Sequence, residues 1–166
     1  MERKQLIEAL RKSGPQVVAY FEADADLLEK TYAPGKWTVR DLLVHLTDAE
    51  FMYLGRVCTG LAEPGGTVQG FDQDKWKATL KYNERPLHVC RALFDGAREQ
   101  LIDLLGRFPD SALDNVVTHS EGGPMSLRKI LTYLAWHSDH HLEQIDAARA
   151  GQVWKLDSSA VGPAPG

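Results

Sequence analysis

Apolar residues at Leu127, Ile130, Leu134, Ile145 and Ala148 recur at the helical period through a segment opened by Ser126 and closed by Gly151. A serine just ahead of such a run can accept from a free first-turn N–H, and a glycine just after it takes the left-handed conformation that ends a helix. The segment therefore reads as one long amphipathic helix. A helix with a single apolar stripe must bury it against another element, and the chain supplies three more of the same kind.

Leu6, Ile7 and Leu10, then Val17, Val18, Phe21, Ala25 and Leu28, flank Ser13-Gly14-Pro15, so the first is one bent helix or two, ending near Tyr32 before Pro34-Gly35. Val39, Leu42, Leu43, Leu46, Ala49, Met52 and Tyr53 follow Thr38, an N-cap to which Asp41 can reach back, and carry the second to about Cys58. Leu87, Cys90, Leu93, Phe94, Leu101, Leu104 and Leu105 form the third, from Asn83 or Pro86 to Phe108, where Pro109 stops it. The expected fold is an all-α four-helix bundle in one domain over residues 1–157.

The connections are less regular. Gly60 to Gly70 reads as a loop, Phe71 to Leu80 as a short helical turn that packs Trp76, and Asn115-Val116-Val117-Thr118 before Glu121-Gly122-Gly123-Pro124 as a short extended excursion before the last helix. Residues 158–166, rich in Ser, Ala, Gly and Pro, are expected to be a disordered tail, with Val153, Trp154 and Leu156 docking just ahead of it. A net charge of -4 without a basic run argues against nucleic acid, and no apolar run approaches the ~20 residues that cross a bilayer. The charged start Met1-Glu2-Arg3-Lys4 lacks a secretory h-region, so a cytoplasmic protein is expected, with Cys58 and Cys90 as buried free thiols.

The last helix carries Trp136-His137-Ser138-Asp139-His140-His141. At ~100° per residue, His137 and His141 lie about 60° and 20° to one side of Leu134, on the apolar face, while His140 lies about 120° away and is the poorer candidate. His45 falls in the inward row Leu42, His45, Ala49, Met52 of the second helix. Each buried neutral imidazole needs one donor and one acceptor partner, and clustering three without a metal sets acceptors against one another. Three histidines, two of them four residues apart on one helix, make an open facial ligand set; the alternative is three hydrogen-bonded core histidines. Asp48, one turn beyond His45, could accept from a ligand ring or act as a base, and Glu50 reads as a solvated helix carboxylate. Gln144 and Tyr53 border the inward rows, as core edge or, alternatively, as the lining of a pocket, and His88 and His119 read as surface or loop residues.

Lys36-Trp37-Thr38-Val39-Arg40-Asp41-Leu42-Leu43-Val44-His45-Leu46, followed by His137-x-x-x-His141-Leu142-Glu143-Gln144-Ile145, resembles the DinB-like superfamily and its YfiT-type metal-dependent hydrolases. The resemblance implies an up-down-down-up bundle, commonly a homodimer, with a divalent metal held by His45, His137 and His141. It also implies thiol chemistry, since characterised members use low-molecular-weight thiols. The isomerase branch carries Glu at the position of His137, which sets this chain with the all-His members. The expectation is a metalloenzyme using Zn or Ni, with Fe or Mn as alternatives, acting on a small-molecule substrate. S-transfer from a thiol is the favoured reaction and hydrolysis the second; a non-catalytic metal-binding bundle is the rival.

Overall fold

The computed structural model describes residues 1–156. In chain order the helices are α1 (Arg3–Tyr20), α2 (Ala25–Leu28), α3 (Val39–Ala62), α4 (Gln73–Thr79), α5 (Leu87–Arg107) and α6 (Leu127–Ala150). The strands are β1 (Thr67–Val68), β2 (Val116–His119) and β3 (Gly123–Ser126). The reading of residues 158–166 lies outside the described residues.

Local chemistry sets the helix ends. Thr38 Oγ1 accepts from Asp41 N and Asp41 accepts from Thr38 N, both at 3.1 Å, which satisfies two otherwise free donors at the start of α3. Ser126 Oγ accepts from Lys129 N at 3.2 Å to open α6. Gly151, at φ 67°, lets Gln152 N reach Ala147 O and so closes it. Pro15 sits inside α1 without ending it. An interior proline costs about 3 kcal/mol, whereas Leu10 and Val17, fully buried on either side of it, together contribute about 3–6 kcal/mol, so packing outweighs the lost bond.

Side-chain pairs fix the helix directions. Arg3 donates to Leu105 O and Phe108 O while Arg98 donates to Leu10 O, so α1 and α5 run antiparallel. Thr47 meets Cys90, and Glu50 meets Arg98 further along, so α3 and α5 run parallel. His45 meets His137 while Gly60 abuts Leu127, so α3 and α6 run antiparallel. This is the expected up-down-down-up bundle. Parallel neighbours α3 and α5 require the chain to travel back the length of a helix, and residues 63–86, with β1, α4 and a 3-10 turn at Tyr82–Glu84, do so.

The excursion before α6 is the β2–β3 hairpin, paired from Val116↔Ser126 to His119↔Gly123. β1, from the segment expected to be loop, adds to β2 in parallel and makes a three-stranded sheet. α3 also outruns its expected end at Cys58 and runs to Ala62, and in that last turn Gly60 lies against Leu127 so closely that a Cβ there would meet Leu127 Cδ2 at 2.5 Å. Trp154 docks, its backbone N–H donating to Tyr32 O and its ring lying edge-on to His140, while Val153 and Leu156 remain exposed.

Two apolar clusters fill the bundle. One gathers Leu6, Leu10, Val57, Leu101, Leu105, Leu127 and Ile130 at the sheet end; the other gathers Val17, Phe21, Leu43, Leu46, Phe94, Ile145 and Ala148 at the opposite end. Between them in chain position lies a polar layer. Glu50 belongs to it: instead of facing water it is 1% exposed and paired with Arg98, itself bonded to Ser13 and Ser138. Cys90 is buried as expected, but Cys58 is exposed on the outer side of α3.

Candidate metal centre

The polar layer continues on its α3–α6 side as the three histidines. His45 Nε2 lies 3.0 Å from His137 Nε2, which lies 3.1 Å from His141 Nε2, and all three rings are buried. Ligands about 2.0–2.1 Å from a tetrahedral ion stand about 3.3 Å apart, so these separations match a shared ion to within a few tenths of an ångström. The hydrogen-bond alternative does not close. A ring nitrogen carries either one hydrogen or one lone pair, so His137 Nε2 could meet both neighbours only through one shared, weakened bond, and His45 Nδ1 and His137 Nδ1 would still lack partners among the described residues. A cation would satisfy all three nitrogens at once. Among the described residues no fourth His, Cys, Asp or Glu joins the group.

The protonation states fit that role. Burial pushes the His45 imidazole down to about 4, with His140 adding to the effect. Burial, and then the neighbouring histidines, hold His137 and His141 well below the ordinary histidine range. All three therefore present neutral rings at pH 7. Because the unfolded chain binds these protons near pH 6.5 and the folded chain refuses them, the metal-free fold has its full stability above pH 6.5 and loses it as pH falls. His45 alone accounts for about 3 kcal/mol of loss between pH 6.5 and 4. Urea midpoints at pH 7.5, 6 and 5 are expected to drop steeply in that order; a flat series contradicts neutral burial.

His141 is oriented by Gln144. Its Nδ1–H donates to Gln144 Oε1 at 2.7 Å, which leaves the Nε2 lone pair facing the other two rings. Gln144 Nε2 donates in turn to His140 Nε2 at 3.1 Å, so His140, set aside as a ligand, steadies the amide that steadies His141. The outer acceptor considered for Asp48 is thus Gln144. Both Asp48 oxygens lie 2.7 Å from Arg85 Nη1, and Asp48 bonds to none of the three rings. Gln144, read as core edge, was identifiable from its i, i+3 spacing to His141. His45 Nδ1 and His137 Nδ1 have no such partner among the described residues. Replacing Gln144 by Leu is expected to weaken metal binding 10–100-fold with little change in fold, measured by competition with a chromophoric chelator.

A cavity of about 420 Å³ lies against the triad, walled by His45 and His137 and by Tyr53, Arg56, Phe71 and Tyr133, with Glu121 at its mouth. Trp37 stands edge-on to His45 at 5.3 Å and Phe71 packs on it at 6.0 Å, which keeps water from that ring. His119, expected at the surface, is 2% exposed: its Nδ1 accepts from Glu121 N and Gly122 N and ties down the hairpin turn that carries Glu121. His88 is exposed, as expected. No helix among the described residues is long and apolar enough to cross a membrane.

The DinB superfamily profile matches residues 3–145, from the start of α1 into α6. A protein of Oceanobacillus iheyensis, named as a candidate metal-dependent hydrolase, is 32% identical over 121 residues, or 73% of this chain and 69% of its own. A Bacillus mycoides protein of the same designation is 26% identical over 133 residues, or 80% and 76%. Among solved structures, YfiT from Bacillus subtilis, described as a probable metal-dependent hydrolase with an unusual four-helix bundle topology, aligns with a TM-score of 0.81 at 23% identity over 90% of this chain and 88% of its own. That last likeness establishes the fold, and the profile and the first relative establish the lineage: the chain belongs to the DinB superfamily.

Proposed function

We propose that this chain is a metal-dependent enzyme of hydrolase type, with His45, His137 and His141 as ligands of one divalent transition metal and the adjoining cavity as its substrate site. The observation that carries the reading is the convergence of three buried neutral Nε2 atoms with no fourth protein donor among the described residues. Zn or Ni suits three imidazoles best, with Fe or Mn as alternatives. When bound, such an ion supplies a Lewis acid that brings the pKa of water or a thiol toward neutrality. The chain's own residues do the rest: Gln144 holds the His141 lone pair inward, Trp37 and Phe71 shield His45, and Tyr53 and Tyr133 wall the cavity beside His137.

The names of the relatives favour hydrolysis. One observation favours thiol transfer: the α3 carboxylates that follow His45, Asp48 and Glu50, are committed to Arg85 and Arg98. Neither is free to serve as a general base, and a thiol, which loses its proton beside a divalent cation more readily than water does, would have less need of one. Zinc-reconstituted protein should turn over p-nitrophenyl acetate, or conjugate cysteine to monobromobimane, and should lose that activity on chelation and in His137→Gln. Turnover that survives chelation, or protein that takes up no metal, overturns the reading. The resemblance also supports a homodimer, which sedimentation checks.

A further inference from the structure

On α3, His45, Ala49, Tyr53 and Arg56 follow one another at helical spacing and all line the cavity. Three charged residues line it, and they differ in kind. Asp72 and Glu121 are exposed, Asp72 capping α4 by accepting from Lys75 N, while Arg56 is 4% exposed. Arg56 Nε and Nη2 both donate to a single carbonyl, Gln69 O, at 3.1 and 2.8 Å. Its guanidinium lies over the Tyr53 ring, 4.9 Å from the centroid. Neither partner carries a charge. Among the described residues no carboxylate lies within ion-pairing distance, and Glu121 at the mouth acts on it only from further off.

The contrast with the other interior arginines is direct. Arg98 meets both oxygens of Glu50 and Arg85 meets both oxygens of Asp48. An arginine cannot escape burial by losing its proton, so a buried guanidinium without a counter-charge is costly unless an anion completes it. Its planar fork also matches the two oxygens of a carboxylate.

We infer that Arg56 receives the anionic group of the molecule that reacts at the triad, so that the substrate is a small organic acid. This rests on the reading of the triad as a reaction centre and adds the substrate class to it. The cavity, about 420 Å³, is at the lower end of small-ligand sites, and its Tyr53, Phe71 and Tyr133 walls suit an apolar body behind the carboxylate. Arg56 is a binding residue in this scheme, and its bonds to Gln69 O hold the fork in place.

Benzoate and benzamide, matched in size and different in charge, test it by calorimetric titration of metal-free and zinc-loaded protein. Wild type is expected to prefer benzoate about 10- to 100-fold in both forms. In the metal-free form Arg56→Gln should bind the two within about twofold, while still taking up zinc as wild type does when it is supplied, and Arg56→Lys, which keeps the charge and loses the fork, should retain part of the preference. A merely structural tether to Gln69 would alter both probes alike. Equal binding by wild type, or an undiminished preference in Arg56→Gln, overturns the proposal. If Arg56→Gln does not fold, the wild-type Arg56 Nη–H resonances decide: benzoate must shift them and benzamide must not. A benzoate preference in protein that binds no zinc keeps the anion site and removes the metal reading; zinc binding without the preference does the reverse.

Discussion

His45→Ala is expected to lower the metal content of the purified protein from about one ion per chain to a tenth of that or less, while leaving it folded. The loss follows from the donor set: the three nitrogens come from His45, His137 and His141, and two imidazoles on one helix do not make a facial site. Retention of the fold follows from two opposing terms. Removing the ring opens a cavity, typically a cost of about 2–5 kcal/mol for a large buried side chain. It also removes the unpartnered His45 Nδ1 and one of the unsatisfiable contacts at His137 Nε2, a relief of about 1–3 kcal/mol per group. The net is smaller than the ~5–15 kcal/mol a domain of this size has to lose. Metal analysis after dialysis without chelator, beside circular dichroism, measures both. Unchanged metal content in a folded His45→Ala protein would remove the triad from consideration.

The largest stability effect is expected at Glu50. All five N–H groups of Arg98 are engaged, two with Glu50 and the others with Ser13, Ser138 and Leu10 O. Glu50→Ala leaves the guanidinium buried without its counter-charge, and breaking a buried pair from one side costs about 3–5 kcal/mol. The double change Glu50→Leu with Arg98→Met should recover much of that. Ser13 and Ser138 keep their bonds to Ala9 O and Leu134 O, and an apolar side chain can follow the contact that Arg98 makes with Phe94. Urea unfolding of the three proteins at pH 7.5 gives the comparison. A Glu50→Ala protein within about 1 kcal/mol of wild type would show that water reaches this layer.

The centre and the pair beside it differ in how far sequence alone could find them. His45, His137 and His141 were identifiable because helical spacing assigns each to an inward face, and their residue type is uncommon there. Glu50 has the same burial, yet a carboxylate on α3 carries no local mark of the Arg98 that waits on α5. Arg56 is similar: its spacing from His45 puts it on the cavity face, but only the packing around it shows that no carboxylate pairs with it. His119 looked like a loop residue because the N–H groups of Glu121 and Gly122 that donate to its Nδ1 come within reach only once the hairpin turn is formed.

What the sequence by itself determined is everything that acts over one or two helical turns. That covers the four long helices, the Thr38 and Ser126 caps, the Gly151 stop, the hairpin ahead of α6 and the facing of each histidine. Tertiary structure alone decided which partner each polar group meets. It turned Asp48 toward Arg85, gave the orienting role to Gln144, added β1 to the hairpin and set Gly60 of α3 against Leu127. The physical reason is range: capping and periodicity are contacts between near neighbours, written in spacing, whereas ion pairs, strand addition and close helix approach join residues whose nearness exists only after the bundle has closed.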